Sequence, residues 1–123
     1  ALPNLLPVLG YALTSPQGKT LFYSGDTGPG IIPALVEITP DLLIIEVTAP
    51  NRFRESIRQG GHLTPGLLRE ELLEFRKVKG YTPLTYCVHM NAALEIEIHS
   101  QLAELAHDGL DVRPAFEGLE IEM

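Results

Sequence analysis

Basic residues are scarce in this chain. Nine Lys and Arg stand against sixteen Asp and Glu, for a formal charge of -7 over 123 residues. A phosphate backbone is held by clustered Lys and Arg, and these nine make no stripe, which disfavours passive nucleic-acid binding. Cysteine is scarcer still. The one thiol, Cys87, sits inside an apolar run, which excludes a disulfide framework and makes a reducing compartment the default; the residue reads as a small buried hydrophobe. No run is long and apolar enough to span a bilayer, and no charged-then-apolar leader is seen. The expectation is a soluble cytoplasmic protein with no membrane partner. Repeats, linkers and low-complexity segments are also lacking, so residues 1–123 read as a single domain, and 45% hydrophobic residues is ordinary for one with a real core.

Turn signals and periodicity divide the chain into an α/β unit with mixed strands. Apolar or alternating runs around 6–14 and 20–24 flank Ser15-Pro16-Gln17-Gly18-Lys19, a hairpin-type connection. A short helix after Gly30 runs through Ile38 and stops at Thr39-Pro40. Leu42 to Ile45 is a continuous apolar run, the mark of a strand covered on both faces. Residues 50–64 are polar and contain glycine, and read as a long loop of the kind that often carries function. Thr64-Pro65 starts a helix, with Thr as N-cap and Pro at the first helical position; Leu68, Leu72 and Phe75 give it a buried face and Gly80 ends it. Leu84 to Val88 is another buried strand. Asn91 caps a helix whose Leu94, Ile98, Leu102 and Leu105 face the core, ending at Asp108-Gly109, and strands over Leu110 to Ala115 and Leu119 to Glu122 close the unit. At the other end, the chain opens at Ala1 and runs directly into the apolar segment from Leu5 to Leu13, like a strand entered midway. A fragment, a processed piece and one half of a duplicated fold are the expectations this raises.

Three of the strands end on a polar residue able to bind a metal or move a proton: Asp26, Glu46 and His89. In an open α/β sheet such residues emerge at the carboxyl edge, where ligand sites are built. His62, in the loop Gly60-Gly61-His62-Leu63-Thr64-Pro65 before a helix, is within reach of the same edge. Each has a structural alternative. Asp26 in a glycine-rich turn can bond its own backbone, Glu46 can be a paired structural carboxylate, and His62 can cap a turn. His89 is the residue best suited to be a ligand, since imidazole is a ready metal donor. His99 and His107, among polar residues of the last helix, read as solvated, with His107 suited to the helix's negative end.

The segments Ser24-Gly25-Asp26-Thr27-Gly28-Pro29, Leu43-Ile44-Ile45-Glu46, Gly61-His62-Leu63-Thr64-Pro65 and Val88-His89, taken in order, resemble the second half of a metallo-β-lactamase-fold hydrolase. They are most similar to class II cyclic-nucleotide phosphodiesterases, and tRNase Z shows a similar order. The resemblance implies half of a four-layer αββα fold, a mixed sheet with helices packed on it. It implies a metal-dependent hydrolase that cleaves phosphodiester bonds of a small molecule, plausibly a 3′,5′-cyclic nucleotide, by a hydroxide held between two divalent ions, usually zinc. Asp26 matches the carboxylate that bridges the two metals and His89 the last histidine ligand. His62 matches the loop histidine that protonates the leaving oxygen, with Glu46 placed to orient it. Thr27, Gly28 and Thr64 are the candidate substrate-binding residues; the turn from Gly28 to Gly30 lets backbone N–H groups approach a phosphate, although Pro29 removes one donor.

One family feature is lacking. The His-x-His-x-Asp-His signature and the further histidine ligand of the first half do not occur in this chain, and Asp26 and His89 alone cannot fill two metal shells. The isolated chain is therefore expected to be inactive, completed by an amino-terminal half in the same protein or in another chain. Two other readings stand beside this one: a tRNase Z-like ribonuclease whose RNA-binding arm lies in the missing half, and a non-catalytic domain that keeps the fold as an interaction or homodimer surface.

Overall fold

Five strands and four helices alternate along the described residues, 11–25, 30–88, 90–116 and 118–120, of the computed structural model. β1 (Tyr11–Thr14) and β2 (Thr20–Tyr23) pair antiparallel, with Tyr11 opposite Tyr23 and Thr14 opposite Thr20. Their connection is the turn expected from the sequence, closed by Ser15 N donating to Lys19 O at 2.8 Å and Gly18 N to Ser15 O at 2.9 Å. Gly18 takes a φ of 85° there, a conformation only glycine adopts without strain. Then follow α1 (Ile32–Ile38), β3 (Leu42–Glu46), α2 (Arg54–Gln59), α3 (Pro65–Lys79), β4 (Leu84–Val88), α4 (Glu95–Glu104) and β5 (Val112–Pro114).

The sheet order is β1-β2-β3-β4-β5, and every pair after the hairpin is parallel. Parallel neighbours need a crossover, and crossovers are right-handed. With strands β2 to β5 laid down in sequence order, each crossover falls on the same side. The core agrees with this: Phe22, Leu43, Ile45 and Cys87, alternate residues on one face of the strands, pack in a single cluster with Leu35 of α1, Leu68, Leu72 and Phe75 of α3, and Ile98 and Leu102 of α4. Cys87 is fully buried, and burial pushes its thiol well above the usual range, so it is inert packing as its apolar setting suggested.

The opposite face presents Leu13, Leu21, Leu42 and Leu84 in one cross-strand row and Tyr11, Tyr23, Ile44 and Tyr86 in the next. Tyr11 and Tyr23 stack with ring centroids 6.1 Å apart. Tyr11 and Leu13 are 65% and 58% exposed, and Ile44, Leu84 and Tyr86 are half-buried. The continuous apolar run of β3 led us to expect a strand covered on both faces, and Leu42 and Glu46 are indeed buried on this side; the described helices cover the other face, and the exposed side chains here are those of β1.

Other boundaries also differ from the sequence reading. The segment 50–64 is not a plain loop: it holds a 3-10 turn over Asn51–Phe53 and then α2. Its polar composition concealed a helix with no buried residue, which leaves no apolar stripe for periodicity to detect. The first closing strand shortens to β5, and Leu119 and Glu120 are in no strand, with Ile121 and Glu122 outside the described residues, as are residues 6–10 of the first expected strand. His99 is half-buried rather than solvated, its Nε2 3.5 Å from Glu95 Oε1 one turn earlier, while His107 is exposed. No helix of the described residues is long and apolar enough to cross a membrane.

The two faces make opposite predictions for stability. In the 123-residue chain, Leu43→Ala removes a fully buried side chain and should cost about 2–5 kcal/mol in urea melts. Leu13→Ala, on the open face, should cost less than about 0.5 kcal/mol. Comparable losses at both positions would mean that the second face is covered within this chain.

Candidate active site at the carboxyl edge of the sheet

The parallel register brings the ends of β2, β3 and β4 to one edge. Tyr23, Ile44 and Tyr86 lie side by side, and Glu46 sits beside Val88 at the last rung. Backbone hydrogen bonds then continue past the strands. Ser24 N donates to Ile44 O at 2.9 Å, Val47 N to Val88 O at 3.1 Å, Thr48 N to Leu63 O at 3.0 Å and Asn91 N to Thr48 O at 3.1 Å. The Thr48 residue thus joins the neighbour of His62 through its N–H and the segment just after position 89 through its carbonyl. The chain on the approach to Asp26, after Glu46, beside His62 and on both sides of His89 is held together at this edge. Asp26, Thr27, Gly28, Pro29 and His89 themselves lie outside the described residues. Among the described residues, no three His, Cys, Asp or Glu side chains come together to hold a metal ion.

Glu46 is 8% exposed and points, like Ile44 and Leu42, to the open face. Its Oε2 accepts the Tyr23 hydroxyl at 3.5 Å, long for an O–H···O bond. The site therefore sits at the corner where the carboxyl edge meets the face not covered by the described helices.

His62 owes its position to the end of α2. Gly61 takes a φ of 79°, His62 N donates to Ile57 O at 3.0 Å and Gly61 N to Arg58 O at 3.1 Å, which is the Schellman pattern of a helix terminated by a left-handed glycine. Three residues later α3 begins. Thr64 is fully buried and its hydroxyl accepts the Leu67 N–H at 3.2 Å, the N-cap role expected from the sequence; this is what its side chain does in the described geometry, in place of the substrate contact also expected of it. His62 is fixed between one capped helix end and the next.

Two supports of this edge escaped the sequence reading. Asn51 Oδ1 accepts the Gly66 N–H at 2.6 Å, and Asn51 N donates to Gln101 Oε1 at 2.8 Å, tying the first turn of α3 to α4. The other is Glu71, which bonds the backbone at Gly30 and Ile31. Both act across long sequence separations, which no local pattern reports; the only signal was the Gly60-Gly61 pair, which terminates the unseen α2.

No protein-family model matches the sequence, and no curated protein sequence matches it. Solved structures do. Human tRNase Z, short form, superposes over 92% of this chain with a TM-score of 0.62 and 18% identity. The metallo-β-lactamase fold protein YhfI from Bacillus subtilis superposes over 89% with a TM-score of 0.59 and 15% identity. The chain has the metallo-β-lactamase fold. At these identities the likeness is one of architecture, and it is partial: the chain spans 37% and 46% of the length of those two proteins. The α/β class and the mixed sheet with packed helices agree with the expectation drawn from the metallo-β-lactamase motifs.

The glycine that ends α2 carries a specific prediction. A Cβ at Gly61 would meet nothing within 4 Å, so the cost of Gly61→Ala is conformational alone. It should destabilise the chain by about 1–2 kcal/mol in urea melts, the penalty of a left-handed backbone for a residue with a side chain. A neutral result would show that His62 is not held by this turn.

Proposed function

We propose that the chain is the carboxyl-terminal half of a metal-dependent hydrolase that cleaves phosphodiester bonds, with a cyclic nucleotide as substrate class. The observation that carries this reading is the meeting, at one carboxyl edge of a metallo-β-lactamase fold, of Glu46, the His62 turn and the segments that flank Asp26 and His89. By chain position a carboxylate and an imidazole leave the strands on either side of β3. That pair suits divalent cations such as zinc as part of a ligand set, the remainder coming from the amino-terminal half, whose sheet would also cover the open face with its rows of Leu, Ile and Tyr. When bound, the metals would offset charge at the phosphoryl group and lower the pKa of a water.

The chain's own residues do the rest. Asp26 and His89 hold the ions. His62 gives a proton to the departing ribose oxygen, an imidazole being able to carry that proton near neutral pH. Glu46, buried at the sheet corner, orients the histidine. Gly28, Thr27 and the neighbouring turn N–H groups meet the phosphate.

A ribonuclease reading is favoured by one observation, the likeness to human tRNase Z. The charge of this chain speaks against it, with nine basic residues to sixteen acidic ones and RNA requiring a basic surface. Parallel assays of the complete protein with a cyclic nucleotide and with precursor transfer RNA separate the two: turnover of the first and not the second is expected.

The role of His62 is tested by leaving-group chemistry. In the complete protein, His62→Ala should leave metal content unchanged and slow cleavage of the natural-type ester by about 10²–10⁴-fold. With a nitrophenyl ester, whose leaving group needs little protonation, the slowing should shrink. Loss of metal from His62→Ala would make His62 a ligand instead, and unchanged rates with both esters would make it structural.

A further inference from the structure

The run Glu70-Glu71 on α3 splits in two directions. Glu70 stays at the surface, paired with Arg54 at 2.7 Å, and that guanidinium holds its carboxyl below the usual range. Glu71 turns inward toward α1. One of its oxygens, Oε1, accepts both the Gly30 N–H and the Ile31 N–H, each at 3.1 Å. These are the residues at which the chain enters α1, just after the segment that carries Asp26. α1 has no cap of its own: the N-cap position is Ile31, which makes no side-chain cap bond, and the first turn holds no acidic residue. Orphan N–H groups at a helix start need an acceptor, and here it arrives from 40 residues away. The cost is visible at the carboxylate. Burial pushes Glu71's carboxyl above its usual range even though the two N–H donors pull the other way.

The chain before that segment is held too. Ser24 is buried, its N–H bonded to Ile44 O at 2.9 Å and its hydroxyl to Gly25 O at 3.2 Å. The described residues on either side of positions 26–29 are thus anchored, Ser24 to β3 and Gly30 to α3. α3 is also the helix capped by Thr64, two residues after His62.

We propose that Glu71 is a positioning residue for the metal site: its carboxylate fixes Gly30 and Ile31, just after the segment that carries Asp26, so that one helix sets both the exit of that segment and the His62 turn. This rests on the reading of Asp26 as a metal ligand, and the experiment separates the two. In the complete protein, zinc affinity is measured by competition with a chelator for wild type, Asp26→Ala, Glu71→Leu and Glu71→Gln, alongside amide hydrogen exchange at Gly30 and Ile31 in the metal-free state. Leu keeps the buried volume and removes the acceptor, whereas Gln keeps an oxygen where Oε1 stands. Glu71→Leu should weaken zinc binding about 10–100-fold, the size of effect seen when a ligand's support is removed, and should speed exchange at both amides. Glu71→Gln should stay within about threefold of wild type and keep the protection. If Asp26→Ala weakens zinc binding but Glu71→Leu does not, even with a lowered melting temperature, Glu71 is structural and the proposal is overturned. Equal loss in Leu and Gln variants overturns it as well, because the acceptor oxygen would not be what matters. Unchanged zinc binding in Asp26→Ala overturns the site reading and this inference with it.

Discussion

Parallel pairing of β2, β3, β4 and β5 in sequence order is the constraint from which the rest follows. Each strand must return to the same end before the next begins, and the right-handed crossover places each returning helix on the same face. One face of the sheet then acquires α1, α3 and α4 and becomes the core around Leu43, Ile45 and Phe75. The same geometry sends every strand-to-helix connection out at one edge. Glu46, the His62 turn and the chain around positions 26 and 89 meet there because of backbone topology, before any side-chain interaction is considered.

That topology leaves the second face with apolar rows of Leu and Tyr across four strands. An apolar sheet face is stable only when another layer covers it. The site lies at the corner between this face and the carboxyl edge, since Glu46 points to the same side as Ile44. Whatever covers the face therefore also walls the site. Under the proposed function, completion of the core and completion of the active site are one event, and a chain with the proposed proton donor and pair of ligands needs no whole metal shell of its own.

Much of this was legible in the sequence because it is written locally. Short apolar runs gave the strands, Ser15 to Lys19 the hairpin, Thr64-Pro65 the start of α3 and Gly80 its end. Strand-end polar residues pointed to the edge. What escaped was of two kinds. α2 buries no residue, so it shows no periodicity and passed for loop, although Gly61 terminates it. Glu71, Asn51 and the Thr48 bridge act over separations of 15 to 50 residues; an acidic residue on an exposed-looking stretch of helix gives no sign of which backbone it will meet. The strand over Leu42 to Ile45 was legible too: it is apolar at every position and is buried on both sides, with Leu42 and Glu46 on one face and Leu43 and Ile45 on the other, whereas β1, at the edge, leaves Tyr11 and Leu13 exposed.

The central claim is that the carboxyl edge of this sheet is half of a metal centre whose proton donor stands apart from the metal. Anomalous diffraction at the zinc edge, from crystals of the complete protein grown with zinc, tests it most directly. The account predicts zinc at this edge, with Asp26 oxygen and His89 nitrogen at about 2 Å and His62 outside the coordination shell. Zinc bound elsewhere, or zinc at this edge with His62 rather than Asp26 among its ligands, would contradict it.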